Sequence, residues 1–216
     1  MMKAEYLSHF GSDEMVCDAA RVSHAKLAAN YTAEQNARLI RYMAKNGHDS
    51  PFFHPHIQFR ITAPIFVARQ MFRHNVGISR NEQSMRYVDE PLGYYIPSEW
   101  RSRPDKSVKQ GSGDPLDVRV QYRIEQTYSN LLQTAEKAYE AVLEWGAAPE
   151  QARMLLPQSM LTQWIETGSI AAYSRICRLR LDNHTQAETR ELAKQISNTI
   201  EPLFPVSWPV LLGAKE

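Results

Sequence analysis

The sequence predicts one domain that mixes strands with helices, and three observations predict it. Residues 56–62 (HIQFRIT) alternate strictly, with Ile57, Phe59 and Ile61 on one side and Gln58, Arg60 and Thr62 on the other, the period-two pattern of a half-buried strand. Residues 116–145 repeat apolar side chains at helical spacing over a stretch that would be about 45 Å long as a helix. The chain has 216 residues, 43% of them apolar, enough to bury a real core within a single unit spanning residues 1–216.

Taken in order, residues 13–30 are rich in helix formers, and Ser23 and His24 end that run where they could face a cavity. Thr32 reads as an N-cap with Gln35 three residues on, a capping box. The helix it opens carries Leu39, Ile40 and Met43 on one side and stops near Asn46-Gly47. Residues 47–56 (GHDSPFFHPH) hold His48, His54 and His56 between two prolines and read as a rigid loop. After the strand at 56–62, Ala63-Pro64 breaks the pattern and starts a helix over 65–74, on which Gln70, Arg73 and His74 share one face. Gly77 supports a turn. Residues 82–87 then alternate, with Glu82, Ser84 and Arg86 on one face and Gln83, Met85 and Tyr87 on the other, so a second strand is expected there.

Residues 92–100 are Pro-bounded and aromatic, and 101–114 are polar, without periodicity, and read as a mobile loop. The long helical pattern follows, with Tyr128, Leu132, Tyr139 and Val142 in its stripe and Gly146 as its stop, and its length makes it a candidate subunit interface. Pro149 opens another helix, on which Glu150 and Arg153 fall i, i+3 and can pair. Gly168-Ser169 marks a break. Beyond it, Arg175, Arg178 and Arg180 crowd a run that also holds Ile176, Cys177, Leu179 and Leu181. Arginine in such a run is costly unless paired or bound to an anion. Asn183 and Gln186 fit the cap of a last helix with Ala193, Ile196, Ile200 and Leu203 as its stripe. His184 would sit in that helix's first turn, where backbone amides favour an anion. The tail, PLFPVSWPVLL, is apolar enough to pack against the body.

The chemistry these residues can support is narrower than the composition. A net charge of +1 argues against extended nucleic-acid binding, so any basic function is local. Nothing approaches the apolar length of a membrane span, and the first residues have no long apolar run of a signal peptide. Two cysteines, Cys17 and Cys177, give no disulfide framework and suit a reducing cytoplasm, with Cys177 read as a small core residue. Residues 69–87 gather Arg69, Arg73, Arg80, Arg86 and His74 around one carboxylate, Glu82. With the arginines at 175–180, they suit phosphates. Gln70 and Gln83 could read a base edge, because an amide offers both donor and acceptor. No phosphate-binding glycine loop, dinucleotide fingerprint or nucleophile elbow is present. The residues by themselves stop at an arginine-rich nucleotide or anion site of unknown reaction.

The stretch Arg73-His74-Asn75, then Asn81-Glu82-Gln83-Ser84-Met85-Arg86-Tyr87, resembles the signature of the flavin-dependent thymidylate synthases. Other blocks of that family follow in order: Ala20-Arg21-Val22-Ser23, Gly47-His48-Asp49-Ser50-Pro51 with His54, 63–70, Tyr95-Ile96-Pro97, Ala152-Arg153 with Leu156-Pro157, and Leu179-Arg180 with His184 and Gln186. The resemblance implies an α+β domain with a central, mainly antiparallel sheet and flanking long helices, assembled as a homotetramer with active sites between subunits. It implies that dUMP receives a methylene group at C5 from methylenetetrahydrofolate, and that FAD, reduced by NADPH, completes the methyl group. No cysteine nucleophile and no metal are required.

By the same resemblance the nucleotide site takes Gln70, Arg73, Glu82, Gln83, Ser84, Met85, Arg86, Arg153 and Arg180, with Arg180 as the activating residue. The cofactor site takes Ser23, Ser50, Arg73, His74, Asn75, Glu82, Ser169, Arg175 and His184, and Glu150 orients Arg153. The chain departs from the family pattern in places. Asn75 replaces the last arginine of an Arg-His-Arg triplet, the spacer after it is one residue longer, and Arg80 is positioned to return the missing charge. Ser169, Ala171 and Arg175 stand where many members carry Asn, Arg and Asn. These changes bear on the flavin more than on the nucleotide. Three other readings stay open: a variant acting on another pyrimidine nucleotide such as dCMP, a metal-dependent phosphohydrolase using His48, Asp49, His54 and His56, and a non-catalytic nucleotide binder.

Overall fold

The computed structural model describes residues 1–88, 90–105 and 111–213. Four strands, β1 (Lys3–Phe10), β2 (His56–Pro64), β3 (Ile78–Glu82) and β4 (Leu161–Ser169), form one sheet in the order β1-β2-β4-β3. Every neighbouring pair is antiparallel. Around it lie α1 (Asp13–Arg21), α2 (Ala33–Lys45), α3 (Ile65–Met71), α4 (Val118–Glu144), α5 (Pro149–Ala152), α6 (Ile170–Arg180), α7 (Ala187–Ile200) and α8 (Ser207–Leu212). This is the α+β architecture expected.

The alternation of β2 sets the layering. Ile57, Phe59, Ile61 and Ala63 are fully buried, and Trp164 of β4 shares their face. Helices cover that face with Val16 and Cys17 of α1, Val67 and Met71 of α3, Ile176 and Cys177 of α6, and Leu192 and Ile196 of α7. Each large apolar side chain fully buried there is worth about 1.5–3 kcal/mol of transfer free energy. The other face stays polar. Gln58 donates to the Thr167 hydroxyl (2.9 Å) and Gln163 to the Thr62 hydroxyl (3.0 Å), as expected for an antiparallel sheet with one solvated side. The tail packs as foreseen. Phe204 and Trp208 are buried, and Asp13 at the start of α1 accepts the N–H groups of Val206 and Ser207.

Local signals held where one side chain decides the structure. Thr32 caps α2, and the reciprocal bond with Gln35 completes the capping box. Gly146, in the left-handed region at φ +87°, lets the chain turn after α4. Several expectations were overturned. Residues 82–87 are not a strand: pairing ends at Glu82 with one further bond from Gln83, and a turn from Ser84 to Tyr87 follows. Pro64 ends β2 instead of lying inside a helix, and α3 stops at Met71, so Arg73 and His74 project from the turn after it. The helix expected to be the last is followed by α8, and it begins, as α7, at Ala187 with Gln186 as its N-cap, which leaves Asn183 and His184 in the preceding turn and not in a cap or first turn. The loop expected at 101–114 is tied down on both sides of 106–110, which lie outside the described residues. Arg101 bonds Ser112 (2.7 Å) and pairs with Glu188 of α7, and Ser102 bonds Asp114.

Candidate active site

Chain reversals at one end of the sheet create the first part of the site. β2 gives way to α3 at Ile65, β4 begins at Leu161, and β3 ends at Glu82. Their meeting leaves a cavity of about 340 Å³ lined by Glu82, Gln83, Ser84, Met85, Arg86 and Arg153, six of the residues expected at a nucleotide, together with Ile65, Met160, Leu161 and Thr162. The turn at 84–87 is anchored by Met85, which is buried with Tyr139 of α4, Ala152 of α5 and Met160. The long helix therefore backs the turn through Tyr139. Ser84 Oγ accepts the backbone N–H of Arg86 (3.3 Å) and its Nε–H (3.4 Å), and Glu82 accepts from the Thr162 hydroxyl at 2.7 Å. Arg153 donates to the carbonyl of Glu150 at 3.2 Å, so Glu150 orients it through its backbone and not by the side-chain ion pair expected.

The second part forms where α3 and α6 converge. α3 leaves the sheet at the cavity end and α6 at the opposite end, and their C-terminal ends meet. Arg180 Nη2 donates to the Gln70 carbonyl (3.0 Å), and its Nε donates to His74 Nε2 (3.2 Å). Burial and then the nearby Arg73 hold the Arg180 guanidinium below its usual pKa. Burial first, then Arg180, Arg80 and Arg175, lower that of His74, so the imidazole is neutral and accepts from Arg180. The Gln70 amide is spent inside the protein: its Nε2 bonds Gln186 at 2.5 Å and its Oε1 accepts from Thr189 at 3.1 Å. Arg180 is braced by the Gln70 backbone carbonyl, and the Gln70 side chain is oriented by Gln186 and Thr189.

The third part lies at the far end of β4. Ser169 is buried and its Oγ accepts the Ala172 N–H (3.2 Å) as the cap of α6. Arg175 is exposed, donates to the Val76 carbonyl (2.7 Å) and lies 5.4 Å from the Phe53 ring. Gly77, at φ +75°, packs so closely that an added Cβ would come within 3.2 Å of Ala172. Asn75 is exposed in the same connection; Ser23, Ser50 and His184 are exposed elsewhere on the surface. Leu161 and Ser169 bound β4, so the nucleotide cavity and this patch stand about 26 Å apart in one chain at roughly 3.3 Å per residue. A larger hollow of about 870 Å³ lies between Phe10, Met15, Val22, Leu27 and His54 and takes none of the residues expected at the nucleotide or the flavin.

Ion pairing sorts the arginines. Among the described residues, Arg38, Arg60, Arg80 and Arg101 pair with carboxylates. Arg73, Arg86, Arg153, Arg175 and Arg180 do not. Arg80 therefore does not restore the charge missing at Asn75; it is committed to Glu166. The donor set left over, with neutral His74 beside it, suits the phosphates of a nucleotide and of a dinucleotide cofactor, except that Ser169 already serves as a helix cap. Thr162 and Glu166 escaped sequence reasoning because both lie on β4, whose two faces carry polar residues and give no clean alternation. No three His, Cys, Asp or Glu side chains among the described residues cluster as metal ligands, and His56 Nδ1 instead meets the His54 carbonyl at 2.8 Å.

Comparison with known proteins gives a consistent picture. The family model described as thymidylate synthase complementing protein matches residues 5–206. The flavin-dependent thymidylate synthase of Kosmotoga olearia is 37% identical over 207 residues, 94% of this chain and 86% of that protein. That of Thermosipho africanus is 35% identical over 202 residues, 94% of this chain and 87% of that protein. Among solved structures, a UMP/dUMP methylase, PolB, from Streptomyces cacaoi bound with 5-Br dUMP superposes with a TM-score of 0.87 at 28% identity, covering 97% of this chain and 94% of the other.

Proposed function

The chain belongs to the family of thymidylate synthase complementing proteins, and from that premise we propose that it methylates C5 of dUMP to give dTMP at the cavity end of its sheet. It is a flavin-dependent thymidylate synthase in reaction type: methylenetetrahydrofolate gives the carbon, NADPH the electrons, and FAD is the cofactor. The observation that carries the assignment to this site is the sorting of the arginines. Arg80 and Arg101 are committed to the buried carboxylates of Glu166 and Glu188, whereas Arg73, Arg86, Arg153, Arg175 and Arg180, spread over the three parts of the site, have no carboxylate partner among the described residues and are left for an anion.

Arg86 and Arg153, which both line the cavity, take the nucleotide phosphate, with Ser84 as a positioning donor. Gln83 offers an amide to the base edge, and Glu82 is fixed by Thr162. Arg180 stabilises the negative charge that grows on the pyrimidine N3–O2 edge as C5 attacks, and the Gln70 carbonyl and neutral His74 hold its guanidinium in place. Bound FAD supplies hydride transfer. Arg73, His74, Asn75, Arg175 and His184, with Ser23, Ser50, Glu82 and Ser169, are the residues proposed to hold it. A homotetramer with sites shared between subunits completes the reading, because the nucleotide cavity and the Ser169–Arg175 patch lie at opposite ends of one sheet. A cytoplasmic setting goes with two buried, unpaired cysteines, Cys17 and Cys177, and no helix of the described residues is long and apolar enough to cross a membrane.

An absorbance spectrum of the purified protein, followed by anaerobic NADPH addition with and without dUMP, tests the reading. Flavin bands that bleach faster with dUMP, and dTMP formed on adding methylenetetrahydrofolate, are expected. A colourless protein that gains no bands with added FAD sinks it. A second reading, action on another pyrimidine nucleotide, draws on the fold neighbour described as a methylase of both UMP and dUMP. Turnover of UMP at a rate matching or exceeding that of dUMP would favour it.

A further inference from the structure

Arg80 and Glu166 face each other across β3 and β4 in the buried layer of the sheet. Glu166 is fully buried and the Arg80 side chain is 11% exposed. Arg80 Nε donates to Glu166 Oε2 at 2.5 Å, and the same oxygen accepts from Trp164 Nε1 at 3.1 Å. The two remaining guanidinium nitrogens leave the sheet: Nη1 donates to the His74 carbonyl (2.7 Å) and Nη2 to the Met71 carbonyl (3.2 Å). The guanidinium also lies 5.1 Å from the Phe72 ring, which packs edge-on against Trp164. We propose that the Arg80–Glu166 pair is a positioning device that fixes the turn after α3 and so sets where Arg73 and His74 present their side chains. The proposal rests on the reading of Arg73 and His74 as site residues.

Stability alone does not account for the pair. A buried ion pair recovers its desolvation cost only when every polar atom is satisfied, and apolar replacements often match it. Glu166 Oε1 has no hydrogen-bond partner among the described groups, so this pair is imperfectly satisfied. What it achieves is geometric. A guanidinium is a rigid fork, and this one grips the sheet with one nitrogen and the turn with two. The Met71 carbonyl closes α3 and also accepts the His74 N–H (3.1 Å), and the His74 carbonyl lies three residues further on, so the fork ties the start of the turn to its end. His74, whose carbonyl is held, reaches Arg180 with its ring, so the clamp is one residue removed from the activating guanidinium. Arg80 also adds to the field that keeps His74 neutral, behind burial and Arg180.

Arg80→Lys separates the fork from the charge, because an ammonium can still meet Glu166 but cannot span both carbonyls. Three measurements on the full chain are compared with wild type: thermal melting, FAD and dUMP affinity by flavin and nucleotide titration, and the ¹⁵N shifts of the His74 ring without ligand. The expected result is FAD affinity lower by about ten- to a hundredfold and displaced His74 ring signals. If only melting changes, while FAD affinity and His74 shifts stay at wild-type values, the pair is merely structural and the proposal is overturned. Should Arg80→Lys not fold, Glu166→Gln keeps an acceptor for Arg80 and Trp164, and unaltered His74 shifts in it overturn the proposal equally. A wild type that binds no FAD defeats the functional reading instead, and the His74 shifts still decide the positioning role.

Discussion

Arg180 and His74 show how a proposed site residue differs from an equally polar structural one. Arg101 is bound to Glu188, and that hydrogen bond, against the opposing effect of burial, leaves the carboxyl below its usual pKa. Arg180 has no such partner among the described residues, and a neighbouring cation raises the cost of its charge, so an incoming anion gains what a carboxylate would have supplied. His74 carries a pH signature. Its folded pKa lies below the ordinary 6.5, through burial and then Arg180, Arg80 and Arg175. An unfolded chain therefore takes the proton first as pH falls. The contribution of His74 to stability is complete above pH 6.5 and is lost as pH drops from there through the folded pKa. The Glu188 contribution is lost only below about pH 4.5. Melting temperatures between pH 7.5 and 5 are thus expected to fall less steeply in His74→Gln than in wild type. Parallel curves would remove His74 as the titrating group.

At the scale of elements, the turn at 84–87 is only as firm as its anchor. Met85 packs against Tyr139, Ala152 and Met160, and truncation leaves a cavity beneath Gln83, Ser84 and Arg86. Met85→Ala is expected to cost about 2 kcal/mol or more in urea unfolding and to weaken dUMP binding. A stability loss with unchanged nucleotide affinity would show that the turn does not need its anchor. How legible each element was follows from how its residues are satisfied. β2 and α2 were readable because a strict apolar alternation and a capping box each act locally. β1 and β4 were not. β1 is an edge strand with mostly exposed residues, and β4 buries Thr162 and Glu166 beside Trp164, so neither shows a hydrophobic period. The stretch 82–87 misled because its backbone leaves the sheet after Gln83 and turns at Ser84–Tyr87, so that both alternating sets line one cavity. The arginines were legible as a set, but only the fold separates Arg80, held by Glu166 from a strand not visible in the sequence, from Arg86 and Arg153, which no carboxylate among the described residues neutralises.

For the whole molecule, the placement of the two binding regions is the central constraint. Arg153 lines the cavity beside Leu161, and Arg175 extends from the helix that starts after Ser169, so the length of β4 keeps them apart within a chain. A dUMP ring and a flavin must touch for hydride to pass, and rigid strands cannot fold their ends together. Association solves this if the cavity end of one subunit meets the Arg175 end of another. Arg153→Ala and Arg175→Ala then disable different halves of every site, the first by loss of nucleotide affinity and the second by loss of FAD affinity. Each variant alone should be nearly inactive. Unfolded together and reassembled at equal amounts, the two chains should form random oligomers, in which a site is whole when an intact cavity end meets an intact Arg175 end. Roughly a quarter of sites meet that condition for heterologous pairing of two chain types. Recovery of about a quarter of wild-type turnover is the expected outcome. If both arginines serve one site within the same chain, every hybrid keeps a defective copy and mixing restores nothing. The same assay separates a shared site from simple stabilisation by association, since homogeneous oligomers of either variant would be as well assembled as the hybrids yet inactive.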